Sequence, residues 1–112
     1  MTEDQLVESF KAVAHPVRLR ILRALTGAER NVGEIDERAQ IGQPMLSQQL
    51  AVLRNAGLVS TRKDAKLVFY RLDETRFAQL SDFLQQMTGV DGVRAGNARP
   101  SSPGAANFAR LA

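Results

Sequence analysis

Gln43, Met45, Ser47, Gln48 and Gln49 bring base-reading chemistry into one short stretch of chain. A glutamine amide sets a donor beside an acceptor and can pair with adenine through two hydrogen bonds. A serine hydroxyl serves several bases, and a methionine can touch a thymine methyl. Leu46, Leu50 and Leu53 run through the same stretch at i, i+4 and i+7. That spacing turns one helical face to a core and leaves the polar groups outside. Arg54, near the end of this helix, suits a phosphate. Arg62, Lys63 and Lys66 follow around the tip of a β-hairpin, opposed only by Asp64. Such a tip can meet phosphates or a groove edge beside a reading helix. Each signal also has a bland reading. Glutamines are common on solvated helix faces, and basic residues protect exposed strand edges. The order of the elements is what favours duplex DNA.

Those elements start with Thr2, which with Glu3, Asp4 and Gln5 marks a helix beginning. Leu6, Val7, Phe10, Val13 and Ala14 form its apolar stripe. His15-Pro16 breaks this helix, and Pro16 opens a second. Leu19, Ile21, Leu22 and Leu25 are the buried stripe expected there, and Thr26-Gly27 ends it. A third helix is expected from Asn31 or Val32 to about Gln40, with Val32, Ile35 and Ala39 inward. Ile41-Gly42 is a tight turn. A fourth helix is expected from about Gln43 to Asn55, closed by Gly57. Leu58–Lys63 and Leu67–Leu72 read as two strands. A fifth helix runs from about Asp73 to Thr88, capped by Asp73, with Phe77, Leu80, Phe83, Leu84 and Met87 as its stripe. The fold class is mainly α with a β-hairpin wing, a winged helix-turn-helix in the order α-α-α-α-β-β-α. Residues 1–88 form the domain. Residues 89–112, rich in Gly, Ala, Ser and Pro, are expected to be a flexible tail.

The chain has 112 residues and a formal net charge of +3, a mild hint of an anionic partner. It has no cysteine, so disulfides and thiolate metal sites are excluded. No apolar run approaches the ~20 residues that span a bilayer. The acidic start MTEDQLVESF lacks a secretory h-region, which implies a cytoplasmic protein. No glycine loop cradles a phosphate, and no paired carboxylates or metal cluster suggest an enzyme. No cofactor is expected. His15 is the only histidine, and packing with local hydrogen bonding is its expected use. Arg18, Arg20 and Arg23 on the second helix are expected mainly in internal ion pairs.

Taken in order, HPVRLRIL, VGEI, QPMLSQQLAVLRNAGLV and TRKDAKLVFYRL resemble the ArsR family of bacterial transcriptional repressors over about residues 5–88. Within it, QPMLSQQL with RKDAKLVFYRL looks most like the sulfide- and redox-responsive branch related to the biofilm growth-associated repressor. The resemblance implies a homodimer through the first and last helices, binding an imperfect inverted repeat of double-stranded DNA. It implies that Ser47 and Gln48 read bases. Gln49 stands where many members have histidine. The sensing residues depart from the pattern. Asp36 lies near the usual helix-three cysteine, and the branch's cysteine pair is absent. The last helix has no histidine, and Asp73 and Asp82 alone are poor zinc ligands. Two alternatives remain for the effector. It is a small organic molecule near helices one and five, or there is none and protein concentration sets occupancy. A competing reading of the whole chain is a winged module that binds protein and has left DNA.

Overall fold

The computed structural model describes Met1–Gly89. All of the expected tail except Gly89 lies outside the described residues. The chain divides into two compact units, Met1–Ala78 and a second beginning at Gln79. The described residues of the second unit are the remainder of the last helix and Gly89.

Helix α1 (Glu3–Val13) opens on a reciprocal capping box between Thr2 and Gln5, with Glu3 and Asp4 in its first turn. Helix α2 (Pro16–Ala24) is capped by His15, whose Nδ1 accepts the Val17 N–H at 3.1 Å and the Arg18 N–H at 3.4 Å. Those two bonds satisfy donors that a helix start otherwise leaves orphaned. The histidine therefore does the local work expected of it. Of the α2 stripe, Ile21, Leu22 and Leu25 are buried but Leu19 is exposed, contrary to expectation. Ala24, not Leu19, completes the buried set on α2.

Strand β1 (Arg30–Asn31) was not anticipated, because two residues are too few to show a period. Asn31 then caps α3 (Val32–Ala39) through a second capping box, with Glu34. Helix α3 ends at Gln40, which adopts left-handed geometry at φ 53°. Helix α4 spans Met45–Asn55 and starts two residues later than the sequence suggests. The reason is Pro44, which disfavours helical geometry in Gln43. At its other end, the Leu58 N–H bonds the Leu53 carbonyl at 3.0 Å and the Gly57 N–H bonds that of Arg54 at 3.0 Å. With Gly57 at φ +79°, this is a Schellman closure. Leu58 is thereby committed to the helix end, so strand β2 (Val59–Asp64) starts one residue beyond the expected position.

Strand β3 (Leu67–Leu72) pairs antiparallel with β2, from Val59↔Leu72 to Asp64↔Leu67. It also pairs with β1 through Arg30↔Tyr70 and Asn31↔Phe69, giving the order β1-β3-β2. Helix α5 (Glu74–Thr88) is capped by Asp73, whose Oδ1 accepts the Arg76 N–H at 2.9 Å. Ile21, Leu25, Ile35, Leu46, Leu50, Leu53 and Leu58 are the largest fully buried apolar side chains. They come from α2, α3, α4 and the segment entering the wing, so the core anchors the elements that present the polar face.

Candidate nucleic-acid interface

Helix α3, the turn and α4 form the helix-turn-helix, and the turn is clamped from both sides. Asp36 Oδ1 accepts the N–H groups of Ile41 at 2.8 Å and Gly42 at 3.0 Å. These two bonds, with the nearby Arg20 charge, hold the Asp36 carboxyl below its ordinary range, the Gly42 bond contributing most. Arg20 Nη2 donates to the carbonyls of Ala39 and Gln40 at the end of α3. Two N–H groups of the turn and two carbonyls at the end of α3 are thus bonded inside the protein.

On α4, Leu46, Leu50 and Leu53 are buried as expected. Met45, Ser47, Gln48 and Arg54 are exposed on its other sides, and Gln43 is exposed in the turn before it. Gln43 reaches forward: its Oε1 accepts the Ser47 N–H at 3.2 Å and the Ser47 hydroxyl at 2.8 Å. It thus does the capping that Pro44 cannot. Gln49 is only half exposed. Its Oε1 accepts from Arg18 Nη1 at 2.7 Å, and its Nε2 donates to Met45 Sδ at 3.3 Å. Arg18 also donates from Nε to the Ala12 carbonyl at 2.6 Å and from Nη2 to that of Lys11 at 3.3 Å. Arg18 and Arg20 therefore serve backbone carbonyls and an amide, where the sequence reading expected ion pairs. Arg23 has no ion-pair partner among the described residues. The bonds from Arg18 to Gln49 and from Arg20 to the end of α3 link residues 19 or more apart, beyond the reach of a local sequence signal.

The wing tip turns through Ala65 and Lys66, with Ala65 at φ 58°. Alternation along β2 sends Arg62 and Lys63 to opposite faces of the ribbon. Arg62 is held within the protein: its Nη2 lies 2.8 Å from Glu29 Oε1, and its Nε donates to both Glu29 oxygens at 2.9 Å. Its guanidinium also lies 4.9 Å from the centre of the Phe69 ring, a cation–π contact. The Arg62 bond lowers the Glu29 carboxyl below its ordinary range, and the Glu29 bond raises the Arg62 guanidinium. Lys63, Lys66 and Arg54 are exposed and have no ion-pair partner among the described residues. Arg71, opposite Ser60 in the ladder, donates from Nε to its hydroxyl at 3.3 Å.

Among the described residues, no group of three or more His, Cys, Asp or Glu side chains is placed to hold a metal ion. No helix among them is long and apolar enough to cross a membrane. An open cleft of about 590 Å³ lies at the base of the wing, lined in part by Glu29, Ser60, Arg71, Asp73 and Glu74.

This architecture can be set beside known proteins. Residues 15–61 match the family model described as bacterial regulatory protein, arsR family. The biofilm growth-associated repressor of Xylella fastidiosa (strain Temecula1) is 46% identical over 81 residues, covering 72% of this chain and 71% of the relative. The crystal structure of the transcriptional repressor BigR from Xylella fastidiosa superposes with a TM-score of 0.62 at 44% identity, covering 75% of this chain and 86% of that one. A homodimeric winged helix-turn-helix DNA-binding domain from Mycobacterium bovis, a possible ArsR-family regulator, gives 0.63 at 30% identity, covering 77% and 80%. These relatives are regulators rather than enzymes. The fold, the clamped turn and this degree of identity agree: the chain belongs to the arsR family of bacterial transcriptional regulators.

Proposed function

We propose that this protein acts in the cytoplasm as a homodimeric repressor that reads an inverted-repeat operator with α4 and grips the flanking backbone with the wing. The supporting observation is the division of α4. Three leucines are fully buried, while Ser47 and Gln48 face outward at its N-terminal end, the part that enters the major groove in helix-turn-helix complexes. Gln48 pairs with adenine, and Ser47, Met45, Gln49 and Gln43 adjoin it. Lys63, Lys66 and Arg54 contact phosphates. Arg62, already neutralised by Glu29, contributes least to that set.

A twofold pair would set the two reading helices one helical turn apart, roughly 34 Å. Exposed apolar residues on the first and last helices support self-association: Val7 is 45% exposed, Leu84 50% and Met87 69%. An effector, if one acts, would shift the dimer interface and with it the spacing of the reading helices. The wing-base cleft is a place for such a molecule.

A gel shift with the upstream region of the protein's own gene at two salt concentrations tests the reading. Gln48→Ala should relax base preference, and Lys63→Ala should weaken all duplexes alike and reduce the salt slope by about one. A wild-type protein that binds no duplex at low salt would leave the protein-interaction module as the better account.

A further inference from the structure

The side chains around α4 have a hydrogen-bonding polarity that the protein itself fixes. An arginine carries donors only, so the group of Gln49 that faces Arg18 Nη1 at 2.7 Å must be its oxygen. The amide cannot flip without setting donor against donor. Arg18 is in turn anchored by its bonds to the carbonyls of Ala12 and Lys11 at the end of α1. Gln48, by contrast, makes no side-chain hydrogen bond among the described residues and keeps both donor and acceptor.

We propose that Arg18, on α2 and outside the reading helix, is a specificity-determining positioning residue. By holding Oε1 of Gln49 it fixes the orientation of the amide, so that the free Nε2 hydrogen is the group this side chain offers to DNA. This rests on the DNA-binding function above and deepens it. A free glutamine pairs with adenine by donating to N7 and accepting from N6. An amide whose oxygen is held on Arg18 and whose nitrogen is turned to Met45 cannot bring both ends to one adenine. One Nε2 hydrogen points at Met45 Sδ, 3.3 Å away, and the other remains for a base. Its partners are guanine, whose N7 and O6 are both acceptors, and thymine, with O4; adenine sets its N6 donor beside its one acceptor, N7. Cytosine offers only a donor in the major groove and is rejected. Neighbouring glutamines on one helix therefore read different bases, Gln48 adenine and Gln49 guanine or thymine, and the difference originates on another helix.

The test is selection of binding sites from a randomised duplex library by the full-length protein, followed by sequencing. Gln49→Leu identifies the base position that this side chain reads, as the position whose preference it erases. At that position the wild type should favour guanine or thymine over cytosine by roughly tenfold. Gln49→Glu keeps a partner for Arg18 but has no donor, and should reverse the preference toward cytosine. Arg18→Met frees the amide and should raise adenine there, while the position that responds to Gln48→Ala is unchanged. A purely structural role for Arg18 would lower affinity at every position and leave base identity alone. Circular dichroism checks that each variant folds; should Arg18→Met not fold, the wild-type preference and Gln49→Glu decide. Selection of adenine or cytosine by the wild type at the mapped position overturns the inference, as does a wild-type motif with no position responding to Gln49→Leu. If the wild type enriches no motif at all, the function it rests on fails as well.

Discussion

Asp36 Oδ1 accepts the Gly42 N–H at 3.0 Å, tying the end of α3 to the turn that launches α4. Ile41 shares the same oxygen at 2.8 Å. A carboxylate accepting two backbone N–H groups favours its charged form, which is why its pKa falls below 3.8 on folding. For an acid depressed in this way, the stabilisation is present above the unfolded pKa. It is lost as pH falls through the folded value. The melting temperature of the wild type should therefore exceed that of Asp36→Asn by a constant margin near neutrality. The margin should narrow once pH drops below 3.8. A margin independent of pH down to acid unfolding would show that the bonds add nothing through charge.

Glu29 holds Arg62 out of the cationic set. Replacing it with glutamine removes the nearer opposing charge, leaving Asp64 at 3.7 Å, and keeps the shape of the site. Glu29→Gln should tighten binding to every duplex and steepen the dependence of log affinity on log salt by about one, the increment for one added phosphate contact. Fluorescence anisotropy across a salt series reads both. An unchanged slope would mean that Arg62 stays on Phe69 and away from the backbone.

Arg76 joins three parts of the first unit. Its Nη1 donates to the fully buried Ser9 hydroxyl at 2.9 Å and to the Ala56 carbonyl at 2.8 Å. A Cβ on Gly57 would lie 2.9 Å from the same nitrogen. Gly57→Ala suffers twice, from a left-handed backbone worth roughly 1–2 kcal/mol and from pushing Arg76 off its partners. Arg76→Met should cost about 1–3 kcal/mol, by stranding the Ser9 hydroxyl and the carbonyl. The two losses overlap, so urea melts of the double variant should show less destabilisation than the sum of the singles. Strict additivity would show that the glycine and the arginine act independently.

Much of this molecule is legible in its sequence because its signals are local. The Thr2 capping box, the His15-Pro16 break, the leucine heptad of α4 and the alternation of the wing each depend on residues a few positions apart. They placed the helices and wing strands to within two residues. The bonds that tie distant elements together span longer distances: Arg18 to Gln49, Arg62 to Glu29 and Arg76 to Ser9. A sequence reading sees a cation and assigns it to phosphate or to an acid. It cannot see that a helix end 19 residues away, in the case of Arg20 and Ala39, presents carbonyls to it. Leu19 failed for a related reason, since helical periodicity does not say how wide the buried stripe is.

The exposed apolar residues of α5 bear on assembly. Leu80 is buried, but Leu84 and Met87, four and seven residues on along the same side, are 50% and 69% exposed. Such side chains would gain from burial against a second copy of the chain. Burial in a twofold partner would also make the two reading helices a rigid pair, so operator affinity should depend on self-association. Leu84→Asp places a charge in that contact and should convert the protein from dimer to monomer in sedimentation velocity, with helix content by circular dichroism unchanged. The same variant should lose affinity for a complete inverted repeat while binding a single half-site as the wild-type monomer does, because each copy of α4 and its wing is intact. A wild type that sediments as a monomer at micromolar concentration, or a monomeric variant with undiminished affinity for the full repeat, would remove the twofold pair from the account.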